Sequence, residues 1–79
     1  MLNVLIADDS EDDALLLIRE LRKGGLRCEF DRVESAQGLK AALNRQTWDL
    51  VVTDHNMPSF SSSDALRIVK AMQPEAPVI

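Results

Sequence analysis

Two short apolar runs in this chain each end in aspartate. Val4-Leu5-Ile6-Ala7 leads into Asp8 and Asp9, and Leu50-Val51-Val52-Thr53 leads into Asp54. Short runs rich in Val, Ile and Leu are what the strands of a parallel sheet need when helices cover both faces. In open α/β sheets ligands bind beyond the carboxyl ends of the strands, which is where these acids stand. Like charges held together raise the cost of ionising each of them, so such a cluster calls for a proton or a cation. A hard divalent ion that takes oxygen ligands, magnesium (Mg2+) first among them, suits three carboxylates.

The segments around these runs alternate between strand and helix, with no repeat, low-complexity tract or linker. Residues 3–7 form the first predicted strand. Ser10 or Asp9 can cap a helix that begins near Glu11, places Glu11, Asp12 and Asp13 in its first turn, and runs to about Lys23. Ala14, Leu15, Ile18 and Leu21 or Arg22 recur at helical spacing, Leu16 and Leu17 widen the apolar face, and Gly24-Gly25 supplies the stop. From Leu26 the period becomes two. Leu26, Cys28 and Phe30 alternate with Arg27, Glu29 and Asp31, as in an edge strand with one wetter face. Ser35 can cap a second helix carrying Ala36, Leu39, Ala42 and Leu43, in which Gly38 costs about 1 kcal/mol against alanine. Trp48 precedes a third strand over 49–53. After the loop that follows Asp54, Ser62 or Ser63 can cap a helix bearing Ala65, Leu66, Ile68, Val69 and Met72. Pro74 and Pro77 close that helix, and Val78-Ile79 begin a fourth strand. Parallel strands need long crossovers, and these are right-handed, so placing the first and third strands side by side brings Asp8, Asp9 and Asp54 into one pocket.

Composition narrows the function. The 79 residues carry a net charge of −4 and no run of Lys and Arg, so the segment lacks the electrostatic footprint of a nucleic-acid or anionic-membrane binder. With a single cysteine, Cys28, there is no internal disulfide and no Cys/His zinc motif, which fits a reducing, cytoplasmic setting. The early apolar stretch is interrupted by Asp8 and Asp9, so it reads neither as a signal peptide nor as a membrane span.

The acidic pair at one strand end, Asp54 at another, and the stretch Asp54-His55-Asn56-Met57-Pro58 together resemble the receiver domains of two-component response regulators. The last of these matches the family's phosphoacceptor aspartate followed by x-x-Met-Pro. The resemblance covers the whole chain. It implies an α/β, flavodoxin-like doubly wound parallel sheet, here incomplete at about three and a half βα units, with residues 1–79 as the N-terminal portion of one receiver domain. It also implies that Asp54 accepts a phosphoryl group from a phosphohistidine on a sensor histidine kinase or a histidine phosphotransfer protein. Asp9 would bind magnesium directly, Asp8 through water, Asp54 by its own carboxylate, and Asn56 through its main-chain carbonyl. Such a domain is a phosphoacceptor in signalling rather than an enzyme, with autocatalytic phosphotransfer at most.

Family members continue to a Ser or Thr after the fourth strand and a Lys after the fifth, and no residue here occupies either position. The chain therefore reads as a truncated receiver in which the switch that reports phosphorylation is absent and charge compensation at the phosphate is weaker. Its uncovered flank at Val51, Val52, Val78 and Ile79 invites self-association or segment exchange. Ser59 and Ser61 to Ser63 stand where many members carry glycine. Plainer readings compete at each position. Asp8 and Asp9 suit a helix cap, Asp54 a turn, and His55 a solvent-facing loop, while Cys28, Trp48 and Met57 suit packing. Two other functions stay open. One is a receiver-like scaffold that works without phosphorylation. The other is a magnesium-dependent phosphatase, disfavoured because Asn56 stands where related phosphatases place a second aspartate.

Overall fold

The computed structural model describes residues 1–54 and 61–79. Its elements run β1 (Leu2–Ala7), α1 (Glu11–Lys23), β2 (Cys28–Val33), α2 (Ala36–Arg45), β3 (Leu50–Thr53) and α3 (Ser62–Met72). The strands form one parallel sheet in the order β2-β1-β3. The central strand carries the most continuous apolar run, and Val4, Leu5, Ile6 and Ala7 are all buried. Alternate residues serve opposite faces. Val4 and Ile6 join Ala14, Ile18 and Cys28 under α1, whereas Leu5, Ala7 and Val51 join Leu39, Leu43, Trp48 and Val69 under α2 and α3. β2 is an edge strand, as its alternation predicted. Residues 77–79 extend the sheet beyond β3, because Val51 N–H donates to Pro77 O and Ile79 N–H to Val51 O, each at 2.9 Å. This is the short start of a fourth strand.

Several local expectations are corrected. The apolar face of α1 is narrower than expected: Ala14 and Ile18 are buried and Leu17 and Leu21 partly so, while Leu15 and Leu16 are exposed. A single stripe at i, i+3, i+4 and i+7 already fills the sheet-facing side. Leu26 is 49% exposed and belongs to the helix stop rather than to β2. Its N–H donates to Leu21 O and that of Gly25 to Arg22 O, with Gly25 at φ 92, the pattern of a helix ended by a left-handed glycine. The cap of α3 is Ser61, not Ser62 or Ser63. Its hydroxyl accepts from Asp64 N–H at 3.1 Å, which puts Asp64 in the first turn where its charge suits the helix dipole. Val51 is fully buried, contrary to the expectation that it lacks cover, whereas Ile79 is 73% exposed. Gly38 sits over the Ser35 cap, where a Cβ would lie 3.2 Å from Ser35 Oγ and close to Val33, so the interior glycine allows a tight approach of α2 to β2.

Gln73 ties the amino-terminal edge of the sheet together. Its side-chain amide donates to Leu43 O at 2.8 Å and Gln46 O at 2.7 Å, and its carbonyl accepts from Trp48 N–H at 2.9 Å. Gln73→Ala leaves these groups without that partner, and we expect it to cost about 1–3 kcal/mol in urea unfolding. Trp48 emission should shift to the red as its cover loosens.

Candidate functional site

The site grows from the ends of β1 and β3. Ala7 pairs with Thr53, and the ladder continues one residue further, with Asp54 N–H donating to Ala7 O at 2.8 Å and Asp8 N–H to Val33 O at 3.0 Å. Hydrogen bonding of main chain thus holds both aspartates beside each other, before any side chain is considered. Ser10 caps α1, its hydroxyl accepting from Asp13 N–H at 3.3 Å, while its own N–H donates to Asp8 Oδ1 at 2.9 Å. The turn through Asp8, Asp9 and Ser10 is therefore bonded at each end. Arg32, at the end of β2, donates from Nη1 to the main-chain oxygen of Asp8 at 3.1 Å.

One carboxylate oxygen from each of Asp8, Asp9 and Asp54 lies within 4.8 Å of the others. Asp8 is buried, Asp54 half-buried and Asp9 exposed, so the cluster is open on the Asp9 side. Three acids with no His or Cys among them form an oxygen donor set of the kind hard divalent cations take, and the set fits magnesium. The sequence-predicted residues Asp8, Asp9 and Asp54 are brought together. Asn56 and His55 lie outside the described residues. Trp48 sits at the opposite end of β3, roughly 20 Å of strand from Asp54, so it reports folding rather than events at the acids. Arg32 escaped the sequence reading. Its signal was a charge in the apolar phase of the Cys28, Phe30 alternation.

Burial pushes the Asp8 carboxyl above its ordinary value of 3.8, and the neighbouring charges of Asp54 and Asp13 push the same way against the lowering effect of the Ser10 N–H. A folded-state value raised above the unfolded one means that the fold prefers the protonated acid. The stability contributed by this group is complete below the unfolded value and is lost as pH rises through the elevated folded value. Without divalent cation, Asp8→Asn should therefore gain stability relative to wild type as pH is raised from about 4 to about 7. Urea midpoints across that range check it; a gap that stays constant would show that Asp8 ionises without penalty.

The profile of the response regulator receiver domain matches residues 4–79. The chain belongs to the receiver family. It is 33% identical to the sensor protein EvgS of Escherichia coli K12 over 79 residues, which is 98% of this chain and 6% of EvgS. The structure of the MaeR response regulator bound to beryllium trifluoride superposes with a TM-score of 0.82 at 22% identity, covering all of this chain and 65% of that one. The receiver domain of the Pseudomonas aeruginosa PAO1 sensor histidine kinase PA1611, solved with magnesium in its active-site cleft, gives 0.78 at 19% identity, covering 98% of this chain and 63% of that one. These structural likenesses establish the flavodoxin-like α/β fold, of which the β2-β1-β3 sheet is the first part. Receiver domains are signalling modules of two-component systems. Among the described residues, no helix is long and apolar enough to cross a membrane.

Proposed function

We infer that Asp54 is the phosphoacceptor of this receiver, taking a phosphoryl group from a phosphohistidine on a sensor histidine kinase or a histidine phosphotransfer protein. The observation that carries this reading is the convergence of Asp8, Asp9 and Asp54 at the carboxyl ends of adjacent strands in a receiver fold. An Asp54 oxygen attacks phosphorus as the bond to the imidazole nitrogen breaks, and that nitrogen keeps the electron pair. Little covalent work is asked of the protein beyond alignment, because charge spreads over the equatorial phosphoryl oxygens and the task is to position and to neutralise. Bound magnesium would be held by Asp8, Asp9 and Asp54, with Asn56 as the further ligand residue that the receiver motif implies, and would supply that neutralisation. The Ser10 N–H donates to the Asp8 carboxylate and holds that acid in the cluster. The reaction stops at the acyl phosphate, so the domain acts as a relay member and not as an enzyme with turnover. A cytoplasmic setting accords with the free thiol of Cys28.

Beryllofluoride mimics the phosphoryl group and tests this directly on the full chain by NMR. Saturable shifts at Asp54 and at the β1 and β3 ends that require magnesium are expected. Binding that ignores magnesium, or that spares these residues, would remove the reading.

A further inference from the structure

Arg32 occupies a position that packing alone would give to an apolar residue. Along β2, Cys28 and Phe30 face the cluster formed by Val4, Ile6, Ala14 and Ile18, and Arg32 is next in the alternation, paired in register with Ile6. Its side chain, only 27% exposed, does not end in solvent. Nη1 donates to the main-chain oxygen of Asp8 at 3.1 Å and stands 3.5 Å from Glu34 Oε2. Asp8 is thereby held at its N–H by Val33 O, at its carboxylate by Ser10 N–H, and at its carbonyl by Arg32. The carbonyl contact has a consequence beyond Asp8. Peptide groups are planar, so fixing the Asp8 oxygen fixes the plane that leads into Asp9 and limits where the exposed Asp9 carboxylate can reach.

The geometry points to Arg32 as a positioning residue of the acidic site, which acts through the Asp8 carbonyl to hold Asp9 in place for a divalent cation. The inference rests on the reading of Asp8, Asp9 and Asp54 as a magnesium site. Two effects of the guanidinium oppose each other, and their signs differ. A positive charge near a cation site repels the ion, so a role through charge alone would make removal of Arg32 tighten magnesium binding. A role through the hydrogen bond makes removal loosen it, because groups that orient a metal's ligands are typically worth tenfold or more in affinity. Partial burial of the donor against a main-chain acceptor favours the second effect, since it limits competition from water for the charge-assisted bond, while the cluster's open Asp9 side lets solvent screen the repulsion.

Titrating the full chain with magnesium alone, followed by NMR shifts of Asp8, Asp9 and Asp54 at constant ionic strength, separates the cases. Arg32→Ala should raise the magnesium Kd about tenfold, and Arg32→Lys, which keeps a donor and the charge, should recover part of the loss. Arg32→Met retains the apolar stem without the donor and gives the same comparison if the alanine variant folds poorly; Trp48 emission reports the folded fraction of each. Unchanged or tighter binding in Arg32→Ala or Arg32→Met would overturn the inference while the site stands. Failure of wild type to show saturable magnesium shifts at the three acids would overturn the site reading itself, and the role of Arg32 with it.

Discussion

Asp54→Asn should reduce phosphoryl incorporation from a small phosphodonor such as phosphoramidate to background, with the fold left intact. The amide has the shape of the carboxylate but no anionic oxygen to attack phosphorus, so the loss is of the nucleophile and not of the pocket. Stability should hold or rise. Asp54 is one of the charges that make Asp8 harder to ionise, and replacing it with a neutral group relieves that repulsion. The combination of lost incorporation and retained or raised unfolding midpoint distinguishes a chemical role from a structural one. A variant that kept incorporating label at the wild-type rate would show that another group is the acceptor. If incorporation fell only because the variant unfolded, the midpoint would fall with it.

Leu5→Ala should lower stability by about 3 kcal/mol, the usual scale for a large-to-small change that leaves a cavity. Leu5 is fully buried on the central strand and packs in the cluster with Leu39, Leu43, Trp48 and Val69, where backbone on either side prevents collapse into the gap. A domain of this size has of the order of 4–12 kcal/mol to lose at the usual stability per residue. The deletion therefore removes a large share, and the midpoint of thermal unfolding should drop by about 10–25 °C. Trp48 lies in the same cluster and is held by a 2.9 Å hydrogen bond from Nε1 to Ala42 O, so its emission follows the loss of packing. A drop of only a few degrees would mean that α2 and α3 can move in to close the gap.

The fold was legible where one physical signal dominated. Val4 to Ala7 and Leu50 to Val52 lack polar alternation, and only burial on both faces accommodates that, so a parallel sheet with helical crossovers followed directly. The positions of Asp8 and Asp54 then followed from strand ends and pairing, because main-chain bonds such as Asp54 N–H to Ala7 O carry the acids together whatever their side chains do. Legibility failed where two local signals competed. Leu26 fits the strand alternation, yet its N–H completes the termination of α1 at Leu21. Ser61, Ser62 and Ser63 are all able to cap a helix, and the choice of Ser61 turns on where Asp64 falls relative to the first free N–H groups. Leu15 and Leu16 looked like core because leucine usually is, but a helix on one sheet face has room for only one stripe. Arg32 carried a readable signal, a charge in an apolar phase. Its partner is a carbonyl, which no side-chain pattern announces.

The central claim is that the acidic pocket exists to let Asp54 carry a phosphoryl group. Treating the full chain with phosphoramidate and magnesium, reducing the acyl phosphate with borohydride and locating the reduced residue by peptide mass spectrometry tests it most directly. Reduction at Asp54, abolished when magnesium is chelated, is the predicted result. Reduction at a different carboxylate, or incorporation indifferent to magnesium, would contradict it.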